Sequence, residues 1–250
     1  MAYDGTAYCG WQIQPNELTV QQVVEHALTT MLRQEISVTG AGRTDTGVHA
    51  SYYMAHFDVE DSSPFSPDLD PAGAQFAFKL NRFLPPDIVV YRVFVVPADM
   101  HARFSAIYRT YHYHISTIKP LYTRNYCHHV YGPLDLEAIR DCCALLLNTK
   151  DFTSFAKLHT DVKTNHCKVI QAEWKEVDQG YLFEIKADRF LRNMVRSLTG
   201  TLLDVGQGKL TVQEFKDLVE AKDRNKAGQS APARGLFLVD IGYDNLPGKD

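Results

Sequence analysis

The sequence predicts an α+β fold made of two similar α/β halves, each with an antiparallel sheet, that flank a central cleft. Three observations support this fold class. Residues 1–104 follow the order strand, helix, strand, strand, helix, strand, and residues 105–250 contain a comparable mixture. The junction falls near residues 100–110, and a cleft between two such halves is a usual place for a functional site.

The first half is predicted from periodicity and turn residues. Apolar side chains recur at helical spacing from Thr19 to Arg33, and Thr19 with Gln22 predicts a capping box at the start of that helix. A loop rich in Pro, Ser and Asp is expected over residues 60–71, and a short helix over 72–82. Apolar runs predict strands over residues 36–40, 48–57 and 88–96.

The second half is predicted in the same way. The segment YRTYHYHIS alternates like a strand, and DQG between two strand-like runs is typical of a hairpin. Helices are expected over residues 134–148 and 189–206, and over TVQEFKDLVEA with a Thr211–Glu214 capping box. The apolar run GLFLVDIGY predicts a closing strand.

The composition is that of a globular protein. The chain has 250 residues, of which 45% are hydrophobic and 22% charged, and it lacks a signal peptide pattern and any membrane-length apolar run. Five scattered cysteines without a CxxC pair favour the reducing cytoplasm over a disulfide-bonded or cysteine-metal framework. Because the net charge is -4, nucleic-acid binding would require a local basic surface.

The stretch GAGRTDTGVHA, which carries Arg43 and Asp45, lies between two predicted strands. Aspartate in a glycine-rich loop is most often explained by an Asx-type turn, in which the carboxylate caps its own loop. The alternative is a carboxylate at the floor of a site, where glycine lets backbone come close. Spacing alone leaves both explanations open.

Two further segments suggest RNA contacts. In the predicted helix over ADRFLRNMVR, Arg189, Arg192 and Arg196 share one face, as either a solvated basic surface or a phosphate-binding stripe from which Arg196 reaches a buried carboxylate. MHARFSAIYRTYHYHI mixes Arg103 and Arg109 with aromatic rings, a combination suited to unpaired bases, although a half-buried strand with core tyrosines explains it equally well.

Other site classes find less support. The histidine pairs lack metal-ligand spacing, and no nucleotide-binding glycine motif, P-loop or GxSxG motif occurs. The sequence therefore favours neither a metal-dependent hydrolase nor a cofactor-dependent enzyme.

Taken together, eight ordered blocks resemble the tRNA pseudouridine synthase A family from about Tyr3 to Tyr243. The blocks are YDGTAYCGWQ, TVQQVVEHAL, GAGRTDTGVHA, LNRFLP, HARFSAIYRTYHY, DFTSF, FLRNMVRSLTGTLLDVGQGK and APARGLFL. The resemblance implies the pseudouridine synthase fold with RRM-like halves. It also implies a cofactor-independent homodimer that isomerises uridine to pseudouridine at positions 38, 39 and 40 of the tRNA anticodon stem-loop.

The resemblance also implies roles for individual residues. Asp45 would be the catalytic aspartate, and Arg196 would pair with it. Tyr111 would stack on the target uracil, Arg43 would occupy the space of the flipped base, and Leu236 would pack beside the site. RNA binding is expected from Arg103, Arg109, Arg189 and Arg192.

Three departures accompany the resemblance. Thr46 stands where the family usually has alanine, the chain begins almost at YDG so that the first strand is expected to be short, and Arg192 falls where relatives vary. The remaining alternative is a non-catalytic tRNA-binding protein or chaperone, which would have no need of Asp45.

Overall fold

The structure is a computed structural model that describes residues 1–60, 65, 73–157, 164–244 and 246. It divides into two compact units. Unit 1 comprises Met1–Ile107 and Leu238–Asp250, and unit 2 comprises Tyr108–Phe237. The C-terminal segment therefore returns to unit 1, whereas the division made from the sequence assigns all of residues 105–250 to the second half.

Unit 1 contains short strands and two helices. Its elements from the N-terminus are β1 (Ala2–Tyr3), α1 (Val20–Leu32), β2 (Val38–Gly40), β3 (His49–Ala50), β4 (Ala55–Phe57), α2 (Ala74–Leu80) and β5 (Ile88–Val89). Strand β1 pairs antiparallel with both β3 and β5, whereas β2 pairs antiparallel with β4 in a separate sheet. The first strand is two residues long, as expected.

Unit 2 is built on long strands. Its elements are β6 (Ala106–Ser116), β7 (His128–His129), α3 (Leu136–Asn148), β8 (Val169–Val177), β9 (Gly180–Ala187), α4 (Met194–Gly206), α5 (Val212–Ala221) and β10 (Leu236–Tyr243), with β6 and β10 each crossing the boundary between units. Strand β9 pairs antiparallel with β6 and β8, and β7 pairs parallel with β6. The mixed, mostly antiparallel fold confirms the predicted α+β class.

The capping residues of the helices follow the sequence. Thr19 accepts a hydrogen bond from the Gln22 N–H at the start of α1, and Thr211 and Glu214 form the predicted reciprocal capping box of α5. Gln179 takes a left-handed φ of 61° in the predicted hairpin between β8 and β9. These predictions are confirmed because each depends on contacts between residues only a few positions apart in the sequence.

The predicted strand over 48–57 is wrong as a continuous element. It is split into β3 and β4, because the N–H groups of Ser51 and Tyr52 turn to donate to the carbonyl of Leu238. The strand expected over 88–96 shrinks to β5, and the one over 36–40 to β2. Of the predicted loop over 60–71, only residues 60 and 65 lie within the described residues.

Each unit buries its own apolar core. In unit 1, α1 contributes Val20, Val24, Ala27 and Leu28. In unit 2, one sheet face is covered by helices, with α3 packed on β8 and on α4. Tyr113, Phe183 and Ile185 are fully buried on that face. Within the part of the chain that the structure describes, no helix is long and apolar enough to cross a membrane.

Candidate functional site

Asp45 lies on the loop between β2 and β3, and segments near the N-terminus hold this loop. The Trp11 N–H donates to the Thr44 carbonyl at 3.4 Å, and the Gly47 N–H donates to the Tyr8 carbonyl at 3.2 Å. The two bonds bracket Asp45, so the backbone that carries the carboxylate is fixed on both sides.

The loop reverses direction at Asp45 itself. The Val48 N–H donates to the Asp45 carbonyl at 3.1 Å, and Gly47 has a φ of 76°, which a turn of this type requires at its third residue. The Asp45 side chain is half-buried, whereas Arg43 and Thr46 are exposed. The turn thus presents a carboxylate that remains accessible to a ligand.

Two buried tyrosines, Tyr3 and Tyr53, form hydrogen bonds with the same loop. The Tyr3 hydroxyl and Thr44 Oγ1 share a buried hydrogen bond of 2.9 Å, and the Tyr53 hydroxyl donates to the Gly42 carbonyl. The Trp11 ring packs on Tyr53 with centroids 4.2 Å apart. Tyr3, Trp11 and Tyr53 are buried together, so the loop that carries Asp45 packs against an aromatic cluster.

Because Gly10 has no side chain, its backbone can lie close to the loop that carries Asp45. Its φ is 84°, and a Cβ at this position would overlap the Thr44 carbonyl oxygen and lie 3.2 Å from the Asp45 carbonyl carbon. The sequence alone indicated no role for Tyr3, Gly10 or Tyr53. Gly10 could be noticed in the sequence as a glycine within the YDGTAYCGWQ block. Its contact with Thr44, however, joins residues more than 30 positions apart, and the sequence does not reveal such a contact.

In unit 2, Tyr111 lies on β6 opposite Ile185 of β9. Its half-buried ring meets Phe190 edge-on, with centroids 5.1 Å apart and planes at 89°. Tyr113 shares its strand face, is fully buried, and donates its hydroxyl proton to the Pro232 carbonyl at 2.8 Å. Burial raises the pKa of Tyr113, so its hydroxyl remains a donor at neutral pH.

Arg196 lies in the first turn of α4 and is tied to the segment that precedes β10. Its Nε donates to the Ala231 carbonyl at 2.8 Å, and its own carbonyl accepts the Ala231 N–H at 2.9 Å. Tyr113 holds the neighbouring Pro232, and Leu236 is buried at the start of β10. The segment 231–236 therefore connects Arg196, Leu236 and the strand that carries Tyr111.

The predicted helix over 189–206 is wrong at its start, so Arg189, Arg192 and Arg196 do not form a stripe on one helical face. Helix α4 begins only after Asn193, whose φ of 65° is left-handed and incompatible with a continuing helix. The Asn193 side chain donates to Ser230 Oγ at 2.6 Å, which fixes this break. Arg189 and Arg192 thus lie on irregular backbone before the helix and do not share a helical face with Arg196.

The remaining predicted arginines differ in their surroundings. Arg109 is half-buried and donates from Nη1 to the Asp188 carbonyl at 3.1 Å. The Asp188 carboxylate accepts the N–H groups of Arg189 and Lys168 at 2.7 and 2.8 Å. Arg109 therefore helps to order the segment before α4, whereas Arg103 in unit 1 has an exposed side chain.

The predicted site residues are divided between the two units. Unit 1 carries Arg43, Asp45 and Arg103, and unit 2 carries Tyr111, Arg196, Leu236, Arg109, Arg189 and Arg192. Among the described residues, no group of three or more His, Cys, Asp or Glu side chains is arranged to hold a metal ion.

Comparison with known proteins gives a consistent result. A family model described as tRNA pseudouridine synthase matches residues 1–105 and 143–244. A tRNA pseudouridine synthase A of Bacteroides thetaiotaomicron is 54% identical over 246 residues, covering 97% of this chain and 88% of the relative. Proteins of the same name from Bacteroides fragilis (52%; 97% and 94% covered) and Bacillus subtilis (38%; 98% of each covered) match equally broadly. The chain therefore belongs to the tRNA pseudouridine synthase family.

Proposed function

We propose that this protein isomerises uridine to pseudouridine in tRNA, at positions 38, 39 and 40 of the anticodon stem-loop, with Asp45 as the catalytic carboxylate. The observation that carries the proposal is the family match across nearly the whole chain, with GRTDTGVHA intact around Asp45. The clamped turn supports it, because a reacting group must be held within a fraction of an ångström of its productive position.

The reaction calls for the kind of group that Asp45 supplies. The bond between uracil N1 and ribose C1′ must break, the base must turn, and a new bond must form between C5 and C1′. C5 must then lose its proton, and N1 must gain one. A carboxylate can act in such a sequence as nucleophile or as general base. The half-buried position of Asp45 suits either role, since the group is partly desolvated yet accessible.

Access to the target base sets a second requirement. A uridine in a stem must leave the base stack, which costs a few kcal/mol. We expect Tyr111 to offset part of that cost by stacking on the uracil, and Arg43 to occupy the vacated space. Arg43 lies two residues before Asp45 and is exposed, which is compatible with this role.

The other assignments remain part of the proposal. Arg196 is proposed to pair with Asp45, and Leu236 to contribute apolar packing beside the site. Arg103, Arg109, Arg189 and Arg192 are proposed to bind RNA. The protein is proposed to act in the cytoplasm as a homodimer.

The proposal is tested by mapping pseudouridine on unmodified tRNA transcripts incubated with the purified protein. Wild type is expected to form product in the anticodon stem-loop, and Asp45→Asn, which keeps the shape but removes the charge, is expected to form none. Because the loop is fixed by its backbone, tRNA affinity of the variant is expected to stay within about tenfold of wild type. Asp58→Asn serves as a control in the same unit.

Each outcome has a clear meaning. Tight tRNA binding by wild type without any product would favour the non-catalytic tRNA-binding alternative. Product at other tRNA positions would retain the reaction and overturn the proposed target. Equal losses of binding and turnover in Asp45→Asn would make Asp45 a structural residue of the turn.

A further inference from the structure

A short turn at the end of unit 1 holds an aromatic ring in solvent. Phe104 follows β5 in the segment HARFS and is 77% exposed. Single exposed apolar side chains are common on protein surfaces and by themselves carry no function. The backbone around Phe104, however, is fixed by several hydrogen bonds.

The His101 side chain organises this turn. Its Nδ1 accepts the N–H groups of Arg103 at 3.0 Å and Phe104 at 3.3 Å. The turn is closed by the Ser105 N–H, which donates to the His101 carbonyl at 2.9 Å, and by Ser105 Oγ, which accepts the His101 N–H at 3.0 Å. The backbone N–H of each residue 101, 103, 104 and 105 is therefore bonded within the turn.

A second set of contacts joins the turn to the core of unit 1. The Ala102 N–H donates to His56 Nδ1 at 3.1 Å, and the Tyr243 hydroxyl donates to the Ala102 carbonyl at 2.6 Å. Burial, followed by the neighbouring His101, lowers the pKa of His56, so its Nδ1 remains a neutral acceptor at physiological pH. The exposed ring thus stands on a preformed support.

The groups around the ring match the chemistry of a nucleotide. The His101 ring lies against Phe104 with centroids 4.4 Å apart, and the Arg103 guanidinium carbon lies 5.7 Å from the Phe104 ring centre. An aromatic surface beside a guanidinium can stack on a base while the cation meets the adjoining phosphate. Holding the ring in place beforehand removes an ordering cost that binding would otherwise carry.

We propose that Phe104 and Arg103 form a stacking platform for an unpaired nucleotide of the RNA substrate, distinct from the target uridine. This inference rests on the proposed function, since it presumes an RNA substrate. A widely exposed ring suits a base at the surface of the complex, whereas a base undergoing glycosidic bond cleavage must be enclosed with the reacting carboxylate. Phe104 would therefore govern affinity and leave the chemical step unchanged.

The test is a binding cycle in the catalytically silent Asp45→Asn background. The probe is a fluorescent anticodon stem-loop RNA in which each unpaired nucleotide is replaced in turn by an abasic site. Phe104→Leu, which keeps apolar bulk but loses the ring, is expected to raise Kd about tenfold on the intact RNA. At one abasic position the same substitution should cause no further loss, because the base that it would stack on is gone.

Three variants sharpen the measurement. Phe104→Tyr keeps the ring and should bind like the parent protein, and Phe78→Leu, at a 70% exposed phenylalanine on α2, should do the same. Arg103→Gln should flatten the salt dependence of binding, since one phosphate contact releases about one counterion. In the Asp45-containing protein, Phe104→Leu should raise KM while kcat at saturating RNA stays within about twofold.

Several results would overturn the platform. The first is an RNA affinity of Phe104→Leu equal to that of the parent protein. The second is an additive loss of affinity at every abasic position, and the third is an equal loss of affinity in Phe78→Leu. A change of oligomeric state in Phe104→Leu, measured by sedimentation, would assign the ring to a protein interface instead. The proposed function is tested separately. If the wild-type protein formed no pseudouridine, the catalytic assignment would be overturned, and the binding measurements would still show whether Phe104 stacks on an RNA base.

Discussion

Asp45 and Tyr111 are the two most specific site assignments, and the protein holds them in place by different means. Asp45 lies on a loop of unit 1 between strands of three and two residues, fixed by N–H groups and tyrosine hydroxyls from distant segments. Tyr111 lies inside the 11-residue strand β6, which pairs residue by residue with β9.

The difference determines how each side chain can be displaced. A ladder shares its geometry among many equivalent hydrogen bonds, so the loss of one side chain moves a central residue little. A loop held by a few specific hydrogen bonds has no other equivalent bonds to keep its position when one of them is lost. Single substitutions far from Asp45 in sequence should therefore affect activity more than comparable substitutions around Tyr111.

Gly10→Ala should have the largest effect of this kind. The new Cβ would overlap the Thr44 carbonyl, and it would also strain the left-handed backbone of residue 10, whose φ is 84°. The strain falls on residue 10, whereas the clash acts on the residue before Asp45. We expect a loss of stability of about 3 kcal/mol or more, and a fall in single-turnover pseudouridine formation of at least about 100-fold at a temperature where the variant is folded. Denaturant unfolding and single-turnover kinetics measure the two quantities.

Gly208→Ala is the matched control for strain. Its φ is 70°, but a Cβ there meets no heavy atom within 4 Å. A loss of about 1 kcal/mol with unchanged single-turnover rate is expected, because only the left-handed backbone is penalised. Equal effects on activity at both positions would show that the contact of Gly10 with the Asp45 loop is unimportant.

Two buried tyrosines compare the units directly. Tyr53 and Tyr113 are both fully buried, and each donates its hydroxyl proton to a backbone carbonyl of a site segment, that of Gly42 or Pro232. Replacement by phenylalanine should cost about 1 kcal/mol of stability in either case, since a carbonyl loses its partner. Activity should fall about tenfold in Tyr53→Phe and less than about threefold in Tyr113→Phe.

The expected asymmetry has a structural cause. Ala231, next to Pro232, is bonded twice to Arg196, so we expect it to keep its position when the Tyr113 hydroxyl is removed. Thermal unfolding and steady-state kinetics of both variants provide the measurement. A larger activity loss in Tyr113→Phe would reverse the comparison and make the segment 231–236 the more fragile support.

The same contrast explains which features the sequence could predict. The ends of α1 and α5, with Thr19 and the Thr211–Glu214 box, follow from residues three apart, and the DQG hairpin follows from one turn. The alternation in YRTYHYHIS predicted a strand, and Tyr111 and Tyr113 share one face of β6. Signals confined to a few neighbours need no knowledge of the rest of the chain.

Two of the failures involve distant partners. The strand over 48–57 breaks because Ser51 and Tyr52 bond to Leu238, and the helix over 189–206 starts late because Asn193 bonds to Ser230. Apolar periodicity cannot reveal either bond. The family motif identified Asp45 as a candidate, but the support beneath it, formed from residues 3–11 and 53, required coordinates.

The smallest effect is expected from the buried hydrogen bond between Tyr3 and Thr44. The hydroxyls lie 2.9 Å apart, and Thr44 also accepts the Trp11 N–H through its carbonyl. Tyr3→Phe and Thr44→Val should each cost about 1 kcal/mol of stability, while activity falls less than about threefold. In the double variant the costs should not add, because each substitution removes the same bond. Additive losses in urea unfolding would mean that the pair contributes no coupling, and that Trp11 and Gly47 hold Asp45 through the backbone alone.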